Sequence, residues 1–214
     1  MNAITIHLNP ANNELKGQSK WWGMPDLPED WDYPMIPYED GEDDPLTFVC
    51  QIRCADLAKY DTENLLPHEG MLYFFAAIDE YVYKLVGNMD HEGCGYYTGL
   101  SEWDPVTYRV LYSPTEDNLV AHNIVDENNE PYYLPAEKIT FSAPDKGDSF
   151  KLLGFPFYNE IWEQYPDYIN LLQIDGNDDW GMTLYDCGMI CFLIRPDDLK
   201  ARRFDQVKLY FHSC

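Results

Sequence analysis

Apolar positions along the chain fall mostly into short runs bounded by glycine, proline, asparagine and aspartate, which is typical of β-strands. Such runs predict strands at residues 46–53, 71–78, 106–112, 139–141, 168–174, 189–194 and 207–212. We expect residues 80–86 to return beside the strand at 71–78 as its hairpin partner. Residues 1–16 are polar and without a clear period, so they predict an extended lead-in or a short edge element.

The clearest helical periodicity lies at residues 157–165, where the apolar side chains share one face, and residues 55–60 are compatible with one or two helical turns. Residues 23–45 contain five prolines, which exclude a helix and predict a long ordered loop. Many short strands and few short helices indicate an α+β protein with mainly antiparallel sheets. The chain shows no strand–helix alternation that would favour a parallel, doubly wound sheet.

Three signals occur twice and in the same order, which indicates an internal duplication. The first is Lys20-Trp21-Trp22-Gly23 against Lys151-Leu152-Leu153-Gly154. The second is an apolar run that contains a glutamine, Gln51 in the first copy and Gln173 in the second. The third is a Gly-Met pair that opens a strand, at Gly70 and at Gly188. We therefore expect one domain over residues 1–214, built from two pseudo-repeats, about 17–113 and 147–214, that share one core.

The same residues resemble a known family. Ser19-Lys20-x-x-Gly23-x-Pro25, Pro45-Leu46-Thr47-Phe48-x-x-Gln51-Ile52 and Gly70-x-Leu72-Tyr73-Phe74-Phe75 are similar to the N-terminal half of the YwqG-like family, a bacterial domain of unknown function. Leu171-Leu172-Gln173-Ile174-Asp175 and Asp186-x-Gly188-x-Ile190-x-Phe192 are similar to its C-terminal half. The resemblance spans most of residues 17–212. It implies a duplicated α+β fold and supplies no catalytic residues.

Charge limits the partners that the protein can bind. The 214 residues carry a net charge of −24, which repels nucleic-acid phosphates and anionic membranes and attracts basic proteins. No apolar run reaches the roughly 20 residues needed to cross a bilayer, and the N-terminus lacks the pattern of a signal peptide. We therefore expect a cytoplasmic protein with no nucleic-acid and no membrane partner. The oligomeric state stays open.

Acidic residues crowd the proline-rich loop, where no basic residue occurs between Lys20 and Arg53. Aromatic residues beside carboxylates can bind cationic groups, and interfaces are enriched in tryptophan. The candidate partner-binding residues of this region are Trp21, Trp22, Asp40, Glu42, Asp43 and Asp44. The alternative is that the acids form an ordinary solvated loop and the aromatics pin it onto the core.

Three further polar residues are candidates for lining a ligand pocket between the pseudo-repeats: Gln51, Gln173 and Asp186. A buried amide needs hydrogen-bond partners, and its presence in both copies fits a shared pocket. The structural alternative is that each glutamine ties its strand to a neighbouring loop, and that Asp186 caps backbone N–H groups of a turn.

Signatures of catalysis and of metal binding are absent from the sequence. It contains no nucleophile elbow, phosphate-binding loop or dinucleotide fingerprint. His91 and Cys94 form the only local histidine–cysteine pair. The loop at 175–186 departs from a calcium-binding loop because Trp180 occupies the position of its required glycine. Of the six cysteines, Cys50 and Cys191 align with the ordinary core residues Leu172 and Tyr73 of the other pseudo-repeat, so we predict neither a metal nor a cofactor.

These observations favour a binding protein over an enzyme: an acidic cytoplasmic interaction protein that engages a basic protein partner. A narrower version is an immunity-like protein that neutralises a basic toxin by charge complementarity. The alternative is an enzyme or small-ligand binder with a pocket between the two pseudo-repeats.

Overall fold

The computed structural model describes residues 2–37, 43–86, 99–125, 129–144 and 150–213. Fifteen strands lie within these ranges. They are β1 Ile4–Pro10, β2 Lys20–Trp21, β3 Asp26–Pro28, β4 Met35–Ile36, β5 Asp44–Pro45, β6 Thr47–Arg53, β7 Met71–Ala76, β8 Ser101–Glu102, β9 Tyr108–Ser113, β10 Leu119–Ala121, β11 Glu137–Ser142, β12 Lys151–Leu152, β13 Ile169–Asp175, β14 Met189–Ile194 and β15 Lys208–His212.

Helices are few and short in the described residues. The α-helices are α1 Tyr83–Val86, α2 Asn159–Gln164 and α3 Pro196–Lys200, and the 3₁₀ turns are Cys54–Leu57, Asp79–Tyr81, Pro105–Thr107, Asp178–Trp180 and Phe204–Gln206. None of the α-helices exceeds two turns, so they contribute little to the architecture. The α+β prediction is therefore wrong, and the fold is closer to all-β.

Eleven of the strands form one antiparallel sheet in the order β8-β15-β14-β13-β12-β1-β11-β2-β6-β7-β9. Its centre is the pair β1–β11, in which Ile6 lies opposite Phe141 and Leu8 lies opposite Ile139. The expectation of an extended lead-in or a short edge element at residues 1–16 is therefore wrong, because β1 is a central strand. Its polar residues His7 and Asn9 are exposed and mask the strand pattern.

All seven strands predicted from the apolar runs are confirmed, since β6, β7, β9, β11, β13, β14 and β15 overlap them. The predicted hairpin partner at 80–86 is wrong. That segment forms a 3₁₀ turn and α1, and it pairs with the turn after β13, where Tyr83 N–H donates to Gly181 O and Val82 bridges to Met182. The edge of β7 that it was expected to cover is occupied by β9.

The two halves of the sheet show the same strand order on either side of β1–β11. On one side the order is β2-β6-β7-β9, and on the other it is β12-β13-β14-β15. Lys20 lies opposite Gln51 in the first half, and Lys151 lies opposite Gln173 in the second. This correspondence supports the two pseudo-repeats, which stay a prediction.

In each half of the sheet, on either side of β1–β11, both faces are covered by apolar residues. The main core takes one set of alternate residues, such as Leu72 and Phe74 in β7. The other set forms two smaller clusters, one per half. In the first, Tyr73 and Phe75 are covered by the segment at 23–46. In the second, the strands are covered by α2. Because both faces are buried, these strands read as continuous apolar runs rather than as alternating ones.

Candidate functional site

The proline-rich segment that begins after Gly23 is fastened to the outer face of the first half-sheet. Leu27, Ile36 and Leu46 are buried there, with Trp31 and Tyr33 packed against the same cluster. The ring of Tyr33 contacts Phe75 at a centroid distance of 5.4 Å, and its hydroxyl donates to Leu46 O at 2.8 Å. Burial raises the pKa of Tyr33, so its hydroxyl stays protonated at neutral pH. The aromatics of this segment therefore pin it to the sheet.

Acidic side chains of the same segment point away from the sheet into solvent. We call this surface the acidic face; the structure places five acids on it, Glu29, Asp30, Asp32, Asp43 and Asp44, all exposed. Within the described ranges, Glu29, Asp30, Asp32 and Asp44 form no salt bridge. Of the predicted acids, Asp40 and Glu42 lie outside the described residues. The acidic face therefore carries carboxylates with uncompensated charge.

Beneath the segment lies a buried polar cluster of Lys20, Asp26 and Gln51, which are 5%, 1% and 0% exposed. The Asp26 carboxylate accepts from Lys20 Nζ at 2.8 Å and from Gln51 Nε2 at 2.7 Å through the same oxygen, Oδ2. Gly17 N–H donates to that oxygen as well, at 2.9 Å. A buried carboxylate with three donors is stable as an ion pair and holds the start of the segment against β2 and β6.

Gln51 completes the cluster by bonding to backbone groups. Its Oε1 accepts from Asp26 N–H at 2.8 Å, and its Nε2 donates to Gln18 O at 3.0 Å. In the second half, Gln173 Oε1 accepts from Phe157 N–H at 2.9 Å. Each glutamine thus ties its strand to a neighbouring loop, as the structural alternative expected.

Trp21 and Trp22 are fully buried, so they do not belong to the acidic face. Trp21 stacks on Trp180 with centroids 5.6 Å apart, and Trp22 meets the same ring edge-on at 5.2 Å. These contacts hold the first half against the turn after β13. Their rings therefore stabilise the core and are not available to a partner, contrary to the prediction from the sequence.

Asp186 is exposed in the turn that precedes β14. Three surface clefts of about 550, 570 and 700 Å³ lie on the described part of the molecule. Neither Asp186 nor the two glutamines, Gln51 and Gln173, line any of them. None of these three clefts therefore brings the three residues together, and a pocket between the two pseudo-repeats stays a prediction.

Three of the four cysteines in the described residues lie in the core, and the fourth, Cys187, is exposed. Cys50, Cys54 and Cys191 are buried, and burial raises the pKa of Cys54 and of Cys191 to about 12, so both remain inert thiols at neutral pH. His91 and Cys94 fall outside the described residues. Within the described ranges, no three histidine, cysteine or acidic residues cluster as metal ligands would. The loop at 175–186 forms an Asx turn, in which Asn177 Oδ1 accepts from Trp180 N–H at 3.3 Å.

Sequence reasoning missed Lys20 and Asp26 as partners of Gln51. The signal in the sequence was the lysine three residues before each repeated glycine, Lys20 before Gly23 and Lys151 before Gly154. A lysine that is buried in an apolar stretch needs an acidic partner. It also missed the 550 Å³ cleft beside β11, described below, because that cleft depends on strand order.

Residues 19–214 match the model of a family described as a domain of unknown function (DUF1963), and the chain belongs to that family. No curated protein matches the chain. Among the residues that the structure describes, no helix has the length and apolar character needed to cross a membrane.

Proposed function

We propose that this is a cytoplasmic interaction protein that engages a basic protein partner through the acidic face. The proposal rests on how the acidic face is held in place. Its exposed carboxylates lie on a segment whose apolar residues Leu27, Ile36 and Leu46 are buried against the sheet. Because these three residues already pack the described part of this segment against the sheet, binding costs little additional conformational entropy there.

Electrostatics supports a basic partner. The chain carries a net charge of −24, and the carboxylates of Glu29, Asp30, Asp32 and Asp44 have no cationic partner in the described residues. Complementary charge raises the association rate and selects against acidic competitors more than it raises the final affinity. The partner is therefore expected to bind quickly and in a salt-dependent manner.

Two exposed apolar side chains in and beside this segment add the contacts that charge alone does not supply. Met35 in β4 is 36% exposed, and Val120 in β10 is 43% exposed. β10 pairs with β3, so Val120 lies opposite Leu27 in the same segment. Apolar side chains within a polar surround are the usual composition of a protein interface.

A narrower version of this proposal is an immunity-like protein that neutralises a basic toxin, and the charge of the chain is its support. Membership of the YwqG-like group likewise stays a proposal, which rests on the motifs around Gly23, Gln51, Gly70 and Gln173.

The experiment is affinity capture from cell lysate on the immobilised protein, with washes at low and at high salt and identification of the retained proteins by mass spectrometry. We expect a basic protein that is retained at low salt and released at high salt. Retention of only acidic or neutral proteins, or retention indifferent to salt, contradicts the proposal.

A further inference from the structure

A cleft of about 550 Å³ opens beside β11, between that strand and the turn that follows β6. Its volume lies within the range of small-molecule sites. Its lining comes from three parts of the chain: Gln18 and Ser19, the stretch Arg53, Ala55, Asp56, Ala58, Lys59 and Tyr60, and residues 138–141 of β11. None of these residues belongs to the acidic face.

The charge of this cleft is opposite to that of the whole chain. Three cationic side chains line it, Arg53, Lys59 and Lys138, against one carboxylate, that of Asp56. The chain as a whole has 14 lysines and arginines against 38 acidic residues. A local excess of cations in so acidic a protein marks a place where an anion is attracted rather than repelled.

Two of these cations are available to a ligand. Arg53 is engaged, since its Nε donates to Glu116 at 2.7 Å and its guanidinium lies 3.8 Å from Asp56. Lys59 and Lys138 are exposed, and neither ammonium group has a carboxylate within 4.0 Å in the described ranges.

The single carboxylate of the cleft is partly compensated. Asp56 Oδ2 accepts from Ser19 Oγ at 2.7 Å, and the same hydroxyl accepts from Arg53 N–H at 2.9 Å. The charge of Asp56 is thus partly offset by Ser19 and Arg53 in the wall of the cleft.

Apolar and neutral polar groups complete the cleft. Tyr60 and Phe141 contact each other with ring centroids 6.5 Å apart, and the Lys59 ammonium lies 4.6 Å from the Tyr60 ring centre. Thr140 Oγ1 accepts from Asn9 Nδ2 at 3.1 Å, which leaves its own hydroxyl hydrogen for a ligand. The cleft can therefore hold an apolar body together with an anionic head group.

From this combination we infer that the cleft binds a small organic anion, a phosphate monoester or carboxylate attached to an aromatic or apolar body. Lys59 and Lys138 bind the anionic group, Thr140 donates to it, and Tyr60 and Phe141 contact the apolar body. The site is independent of the acidic face and of any protein partner.

The test is isothermal titration calorimetry of the full chain with four probes: phenyl phosphate, benzoate, inorganic phosphate and benzyl alcohol. We expect phenyl phosphate or benzoate to bind more tightly than inorganic phosphate, which lacks the apolar body, and benzyl alcohol, which lacks the charge. Whichever of phenyl phosphate and benzoate binds more tightly identifies the preferred anionic group. In the double variant Lys59→Gln/Lys138→Gln the affinity falls about fivefold to tenfold, as expected for two partly exposed charge contacts.

The matched control is Lys16→Gln/Lys200→Gln, which removes the same charge from exposed lysines outside the cleft. We expect the affinity of this control variant for the aromatic anions to stay within twofold of that of the native protein. Amide shifts in ¹⁵N-labelled protein on titration with phenyl phosphate should cluster at Tyr60 and Thr140. An equal loss of affinity in both double variants, shifts elsewhere, or no binding of the aromatic anions up to about 10 mM overturns the inference.

Discussion

Gln51 and Asp26 exchange two hydrogen bonds in the buried interior of the first half: the amide oxygen accepts from Asp26 N–H at 2.8 Å, and the amide nitrogen donates to Asp26 Oδ2 at 2.7 Å. The pair joins a central strand to the first residue of β3, from which the proline-rich segment continues. The position of the acidic face therefore depends on a contact that no solvent molecule reaches.

Replacement of Gln51 by leucine should destabilise the fold more than the same change at Gln173. Gln51→Leu leaves the buried N–H of Asp26 without its acceptor and removes one of the three donors to the buried Asp26 carboxylate, for a loss of about 3 kcal/mol in the free energy of unfolding. Gln173→Leu frees the N–H of Phe157 and the side-chain amide of Asn170, which donates to Gln173 Oε1 at 3.2 Å, but it takes no donor from a buried charge, so we expect a smaller loss of about 1–2 kcal/mol. Urea unfolding followed by tryptophan fluorescence measures both, and equal losses would contradict the special role of Gln51.

Lys20→Met should cost about 3–5 kcal/mol, because it leaves the Asp26 carboxylate buried and without its cation. The double variant Lys20→Met/Asp26→Asn removes both charges and keeps an acceptor for the Gly17 and Gln51 donors. It should therefore be more stable than Lys20→Met alone. A double-mutant cycle by chemical denaturation measures the coupling, and additive losses would show that the ion pair does not stabilise the fold.

Gly70→Ala should be far more damaging than Gly17→Ala, although both glycines have positive φ, +76° and +66°. At Gly70 a Cβ would lie 1.9 Å from Ser113 O, so the β7–β9 pairing must shift. At Gly17 the nearest atom to an added Cβ is 4.0 Å away. The alanine variant therefore loses only about 1 kcal/mol of stability, from the left-handed backbone conformation. We expect about 4 kcal/mol or more at Gly70. Similar midpoints of thermal unfolding for the two variants would contradict a steric clash between a Cβ at position 70 and Ser113 O.

Alkaline pH should weaken the fold through its buried thiols. Burial raises the pKa of Cys191 from 9.0 to about 12, so the folded state keeps the proton that the unfolded chain loses. The free energy of unfolding therefore keeps its full value below about pH 9 and falls as pH rises towards 12, because over this range only the unfolded chain loses the Cys191 proton. Between about pH 8 and pH 10, native protein should lose about 1.4 kcal/mol more than Cys191→Ala. A difference between the two proteins that stays constant with pH would contradict this assignment.

Local patterns predicted the strands that carry continuous apolar runs, such as β7 and β14, because burial of both faces leaves a strong signal. β1 was missed because its exposed residues, His7 and Asn9, break the run. The α+β expectation gave too much weight to the periodicity at 157–165, which forms a helix of only six residues, α2.

The candidate sites were predicted less well than the strands. The repeated glutamines were found because they recur at equivalent places, but Asp26, the partner of Gln51, begins the short strand β3, whose sequence shows no strand pattern. The anion cleft depends on the insertion of β11 between β1 and β2, which brings Lys138 and Thr140 beside Lys59. Such pairing of distant strands leaves no trace in local hydropathy.

The most direct test of the acidic face compares two charge-matched variants in quantitative capture from lysate. One variant changes four acids of the face, Glu29→Gln, Asp30→Asn, Asp32→Asn and Asp44→Asn. The other changes four exposed acids elsewhere, Glu160→Gln, Glu163→Gln, Asp167→Asn and Asp179→Asn. We predict that the basic protein retained by the native chain is lost from the first variant and kept by the second. Equal retention by both variants, or equal loss from both, would contradict recognition through the acidic face.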